Sequence, residues 1–135
     1  MPARVLIVDD HEFIRKGVRR LFAKYDSFEV CGEAQNGTEA IRMVPELSPD
    51  VVILDVSMPG INGFETAAYI VTIVPSIRIV LYSAHEVPDS AQWVGADAFV
   101  SKSSPPEELI LAVNRVLKSS KPSQVNQKGK AATGG

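Results

Sequence analysis

Val51-Val52-Ile53-Leu54 runs without a polar break into Asp55, and then into Val56-Ser57-Met58-Pro59-Gly60. A short apolar run closed by turn residues has the signature of a strand buried on both faces. Such a strand needs a covering layer above and below it, which restricts the chain to an α/β sandwich. Its polar end is as informative as its apolar body. In open α/β sheets the carboxyl ends of the strands line the ligand crevice, so a carboxylate at position 55 is placed where chemistry takes place.

The same pattern recurs. Val5-Leu6-Ile7-Val8 ends in Asp9-Asp10, Ile77 to Tyr82 ends in Ser83, and the strand near Phe99-Val100 ends close to Lys102. Helical segments fall between these runs. From Glu12 to Tyr25, Ile14, Val18, Leu21, Phe22 and Tyr25 recur at helical spacing, with Arg15, Lys16, Arg19, Arg20 and Lys24 assigned to the opposite face. Phe28 to Gly32 reads as a short strand and Asn36-Gly37 as a turn. Thr38 to Val44 reads as a short helix that Pro45 should end or kink. Phe64 to Val74 is helical in context and closed by Pro75. Strands are expected at Arg78 to Ser83 and Ala98 to Val100. Ser104-Pro105-Pro106-Glu107 reads as an N-cap, a proline at the first helical position and a capping-box glutamate. They precede a last helix carrying Leu109, Ile110, Val113, Val116 and Leu117. Five βα units in this order predict a three-layer, doubly wound α/β fold with a five-stranded parallel sheet.

The 135 residues suit one domain. No apolar run reaches the length of a membrane span, and a strand begins too early to leave room for a signal peptide. The lone Cys31 reads as a small buried hydrophobe in a reducing compartment, so a cytoplasmic protein is expected. Lys118, Lys121, Lys128 and Lys130 lie at the end of the folded part and in the tail, leaving 10 basic against 16 acidic side chains in residues 1–117. An acidic body argues against direct nucleic-acid binding by the folded part. From residue 119 to 135 the chain is polar and reads as a disordered tail or linker, with the folded domain at 1–118.

Two strand ends bring Asp9, Asp10 and Asp55 toward one edge, and two more set Ser83 and Lys102 beside them. Carboxylates packed together repel, and a divalent ion such as Mg²⁺ relieves this through one or two direct carboxylates. Asp55 can act as a nucleophile toward phosphorus, forming an acyl phosphate. Ser83 can hydrogen-bond a phosphoryl oxygen, and Lys102 can neutralise it. In phosphoryl transfer the protein mainly positions groups and balances charge.

These residues, in this order, resemble the receiver domain of two-component response regulators, the CheY-like (βα)5 fold, over roughly residues 3–118. The resemblance rests on Val8-Asp9-Asp10-His11, Asp55-Val56-Ser57-Met58-Pro59-Gly60 with Gly63, Ser83-Ala84, Gly95-Ala96-Asp97 and Lys102. Asp10-His11-Glu12-Phe13-Ile14-Arg15-Lys16-Gly17 and Val30-Cys31-Gly32-Glu33-Ala34 are similar to the LuxR/NarL-type subfamily, which usually carries a C-terminal helix-turn-helix. The resemblance implies Asp55 as phospho-acceptor, with Asp10, Asp55 and the backbone carbonyl of Ser57 on Mg²⁺. It implies that Asp9 acts through water or hydrogen bonding, that Ser83 is the switch hydroxyl and that Phe99 is the switch aromatic. It further implies a sensor histidine kinase or phosphotransfer protein as donor, and a possible homodimer through the face of the fourth helix, fifth strand and last helix. Ser57 and His85 occupy positions that influence phosphate loss in the family.

The chain departs from the family pattern in three places. The family's lysine-proline step is Lys102-Ser103 here, and a cis peptide before a non-proline residue costs about 3 kcal/mol, which leaves its isomer open. Ser83 and Lys102 are 19 positions apart, a few residues short, which implies a shortened fourth helix around Pro88 and Trp93. Trp93 then either fills the core or anchors an output face. No helix-turn-helix follows within these 135 residues. Two other classes compete. One is a degenerate receiver serving as a dimerisation module. The other is a haloacid-dehalogenase-like phosphohydrolase, which commonly has a second acid where Ser57 stands. A nucleotide or flavin binder would need a glycine-rich phosphate loop, and the sequence has none.

Overall fold

A computed structural model describes residues 1–84 and 95–119. The elements in chain order are β1 (Ala3–Val8), α1 (Glu12–Phe22), β2 (Phe28–Ala34), α2 (Gly37–Leu47), β3 (Val51–Leu54), α3 (Gly63–Ile73), β4 (Arg78–Ser83), β5 (Ala98–Ser101) and α4 (Glu107–Lys118). The strands form one sheet in the order β2-β1-β3-β4-β5, and every pairing is parallel. The α/β doubly wound architecture expected from the alternation is therefore the observed one. The expected shortened fourth helix, with His85, Pro88 and Trp93, falls outside the described residues, as does the expected tail beyond Ser119.

Alternation along the strands divides the core. Val5, Ile7, Val51 and Ile53 pack with Val18, Leu21 and Phe22 of α1 and with Leu109, Val113 and Val116 of α4. Leu6, Val8, Val52 and Leu54 face the other way, toward Ala40 and Val44 of α2 and Ala67 and Ile70 of α3. All four residues of β3 are buried, as a strand covered on both sides must be. Burying each large apolar side chain contributes roughly 1.5–3 kcal/mol relative to exposure, so the two faces together hold the sheet between its helices.

Register carries the polar strand ends to one edge. Val8 pairs with Leu54, Leu54 with Leu81, and Ser83 with Ser101. The residues that follow β1, β3 and β5 are therefore neighbours, although up to 93 positions separate them in sequence. The chain winds in opposite directions from β1 and β3, so these ends flank the topological switch point.

Several local expectations need correction. Helix α1 ends at Phe22 rather than Tyr25, and β2 runs on to Ala34. Gly37 is the first residue of α2 rather than part of a separate turn, because the Asn36 side chain caps the helix by accepting from Glu39 N. Pro45 does not end α2, which continues to Leu47. A proline removes only one donor, and near the helix end the ladder is closed again by Ser48 N donating to Val44 O at 2.9 Å. The expected cap at Ser104 is not used. Helix α4 starts at Glu107 with Pro106 as its cap and has no side-chain cap hydrogen bond. Pro106 disfavours helical dihedrals at Pro105, so Pro105 is excluded as the first helical residue. No peptide among the described residues is cis, and Lys102-Ser103 is trans.

Candidate functional site

Asp9 follows β1 directly, and Asp9 N donates to Ala34 O of β2 at 3.1 Å. Asp55 follows β3, and its N donates to Val8 O at 2.9 Å. Both carboxylates are buried. Lys102 follows β5, and its backbone N donates to Ser83 O at 2.8 Å. The sheet thus sets the lysine opposite the two acids. Lys102 Nζ donates to Asp9 Oδ2 at 2.6 Å and to Asp55 Oδ1 at 3.3 Å. The same ammonium stands 5.8 Å from the centre of the Tyr82 ring, within cation–π range.

The balance of charge is unequal. Three carboxylates meet one ammonium. Burial pushes the Asp55 carboxyl up from its ordinary range, the Asp9 charge adds to this, and Lys102 only partly offsets them. Burial also works against the Lys102 charge, but hydrogen bonding and attraction from Asp9, then Asp55, outweigh it and raise the lysine's pKa. Asp10 Oδ1 is shut off from solvent and makes no hydrogen bond. A buried carboxylate oxygen without a donor is costly, and a cation is the partner that fits it. Asp9, Asp10, His11 and Asp55 each offer a ligand atom, all within 4.8 Å of one another. This oxygen-rich donor set suits a hard divalent ion.

The sequence-predicted residues do gather here, with differences in depth. Ser83 is fully buried at the end of β4. Phe99 is half-buried and packs against the core on the α2/α3 side. Ser57 is exposed in the loop between β3 and α3. That loop is closed by close backbone fitting. Gly63 N donates to Val56 O at 2.8 Å, and a Cβ at Gly63 would lie 2.3 Å from Asp55 O. Asn62 and Glu65 complete a reciprocal capping box at the start of α3.

Two residues that matter to this geometry were not singled out from sequence. Arg15, expected on the solvent face of α1, is buried, and its Nη1 donates to Asp9 O at 2.7 Å. Its Nε donates to Glu33 at 3.0 Å, and Arg19 donates to the same carboxylate at 2.6 Å. The signal was available, because Arg15 stands three residues before Val18 and seven before Phe22, on the buried stripe. His11 was read only as part of a motif. Its imidazole lies 3.2 Å from Asp9 Oδ1 and 3.3 Å from Asp10 Oδ1.

The family model described as "response regulator receiver domain" matches residues 5–114. Response regulator GacA of Pseudomonas aeruginosa is 34% identical over 117 residues, which are 84% of this chain and 55% of that protein. The crystal structure of a two-component response regulator of the LuxR family from Aurantimonas sp. SI85-9A1 superposes with a TM-score of 0.82 at 35% identity, covering 87% of this chain and 86% of the other. Response regulator protein TrrA from Thermotoga maritima, in complex with Mg²⁺-BeF, superposes with a TM-score of 0.78 at 33% identity, covering 84% and 98%. The chain spans about half the length of the curated relatives it matches. Among the described residues, no helix is long and apolar enough to cross a membrane.

Proposed function

Because the chain belongs to the response regulator receiver domain family, we propose that it is a phosphorylatable signalling receiver whose acceptor is Asp55. The observation that carries this reading is the Lys102 ammonium bridging two buried acids, Asp9 and Asp55, beside an Asp10 oxygen that makes no hydrogen bond. In this reading residues 1–118 are the receiver and 119–135 a polar tail or linker. Asp10, Asp55 and the carbonyl of Ser57 would hold Mg²⁺, with Asp9 beside them. The ion supplies charge neutralisation at the phosphoryl oxygens. The neighbour from Thermotoga maritima, bound to Mg²⁺-BeF, supports the assignment by analogy.

The protein's own groups divide the work. A carboxylate oxygen of Asp55 attacks phosphorus, and the bond from phosphorus to the donor's nitrogen or oxygen breaks as the donor departs with its electron pair. A sensor histidine kinase or a phosphotransfer protein is the donor. Lys102 exchanges its contact with Asp55 for a phosphoryl oxygen, which keeps the added charge paired. Ser83, buried at the adjacent strand end, turns its hydroxyl toward the same group. Phe99 moves with it and alters the output face, where β5 and α4, with the expected fourth helix, would offer a homodimer contact. The chain is a signalling domain rather than an enzyme, assisting only the gain and loss of its own phosphoryl group, in the cytoplasm.

Acetyl phosphate with Mg²⁺ tests this directly. Intact mass is expected to rise by one alkali-labile phosphoryl group, and Asp55→Asn to abolish the gain. Labelling that persists in Asp55→Asn would overturn the assignment.

A further inference from the structure

The two oxygens of Asp9 face different partners. Oδ2 takes the Lys102 ammonium at 2.6 Å. Oδ1 turns the other way and accepts from the backbone N of His11 at 2.9 Å, with the His11 ring Nδ1 at 3.2 Å. The same ring nitrogen lies 3.3 Å from Asp10 Oδ1, the buried oxygen that makes no hydrogen bond. The ring is otherwise exposed, with 66% of the side chain's surface open to solvent. No packing forces it against the acids, yet it is directed at them.

These spacings have a coordination meaning. Adjacent donors on a six-coordinate ion with bonds of about 2.1 Å are about 3 Å apart. The imidazole nitrogen, hydrogen-bonded to Asp9 Oδ1 at 3.2 Å and 3.3 Å from Asp10 Oδ1, is therefore already close to the position of a neighbouring ligand, which it takes up with its proton on Nε2 instead. The rest of the set, Asp55 included, lies within 4.8 Å. We infer that His11 is an additional ligand of this metal pocket and that it tunes the pocket's choice of ion. A pocket of carboxylates and carbonyls alone suits Mg²⁺, whereas an added imidazole favours Co²⁺, Ni²⁺ and Zn²⁺ over it. The inference rests on the reading of the acids as a divalent-cation site.

The test is calorimetric titration of the whole chain with MgCl₂ and, separately, CoCl₂, together with the visible absorption of bound Co²⁺. The parent is expected to bind Co²⁺ at least tenfold more tightly than Mg²⁺. His11→Ala is expected to lose at least tenfold in Co²⁺ affinity and to change the Co²⁺ spectrum, and to lose a several-fold smaller factor in Mg²⁺ affinity. Because His11 is exposed, the variant is expected to fold, and circular dichroism checks this. Asp10→Asn is expected to lose both ions. If Asp10→Asn loses both ions while His11→Ala binds Co²⁺ as the parent does, the role of His11 is overturned and the acidic pocket stands. If Asp10→Asn keeps both, the pocket itself is overturned.

Discussion

The acids of the site arrive on two strand ends held in opposite ways. At the end of β1, side chains do the holding. Arg15 donates to the Asp9 carbonyl, and Glu33 fixes Arg15 and Arg19 together. At the end of β3, backbone meets backbone. Gly63 N bonds Val56 O, and no room remains for a side chain at Gly63 beneath the Asp55 carbonyl. A junction wired by charge yields gradually and responds to pH and salt. A junction fitted by volume yields abruptly and responds to neither. One site thus combines an adjustable edge with a fixed one, and the proposed acceptor stands on the fixed edge.

The sharpest way to break this comparison is Gly63→Ala. The added carbon would lie 2.3 Å from Asp55 O and 2.7 Å from the Val56 Cα, both backbone atoms. Since neither can rotate away, a loss of about 3 kcal/mol is expected, measured by urea unfolding and equal at pH 7 and pH 5. A neutral effect would show that the β3 edge is as compliant as the β1 edge. Arg15→Met comes next. It keeps most of the buried stem and removes the donors to Asp9 O and Glu33, and is expected to cost about 2 kcal/mol. If its cost exceeds that of Gly63→Ala, the ranking of the two edges is reversed.

Glu33→Gln is the smallest and most diagnostic change. Burial pushes the Glu33 carboxyl up, but hydrogen bonds from Arg19 and Arg15, and their charges, outweigh this and hold it below its ordinary range. A lowered folded-state pKa means that the contribution is complete above the unfolded value and disappears as pH falls through the folded one. The parent is therefore expected to exceed Glu33→Gln by about 1 kcal/mol near neutral pH, a partly exposed pair being screened. The gap should close on acidification below about pH 4. Unfolding midpoints at several pH values measure it, and a gap independent of pH would remove charge from the account of the β1 edge.

Much of this was legible in the chain because it depends on local pattern. The apolar runs at Val5–Val8 and Val51–Leu54 specify buried strands, and a residue at a strand's carboxyl end needs only the register to reach the crevice. That is why Asp9, Asp55 and Lys102 could be placed together from sequence. What escaped depends on competition between local and tertiary forces. Arg15 was set with the other bases by its charge, although its position put it on the apolar stripe, and a buried carbonyl offered what water otherwise would. The cap at Ser104 failed because two successive prolines constrain each other. Helix α2 ran through Pro45 because one missing donor near a terminus costs little there. His11 was passed over because spacing along the chain does not reveal which way an exposed ring will turn.

The bridging ammonium has a further consequence for how the site is filled. Lys102 is anchored through its backbone to the end of β4 and reaches both Asp9 and Asp55. It is a tethered rival for every cation that approaches. Tethering gives it an effective concentration on the order of millimolar or more, and dilution never removes it. In the proposed reading, occupancy by a free ion would therefore follow supply in a graded way rather than saturate at trace levels. A group that draws the ammonium away from one acid also lifts its claim on the other, so that filling one half of the site alters the terms of exchange in the second.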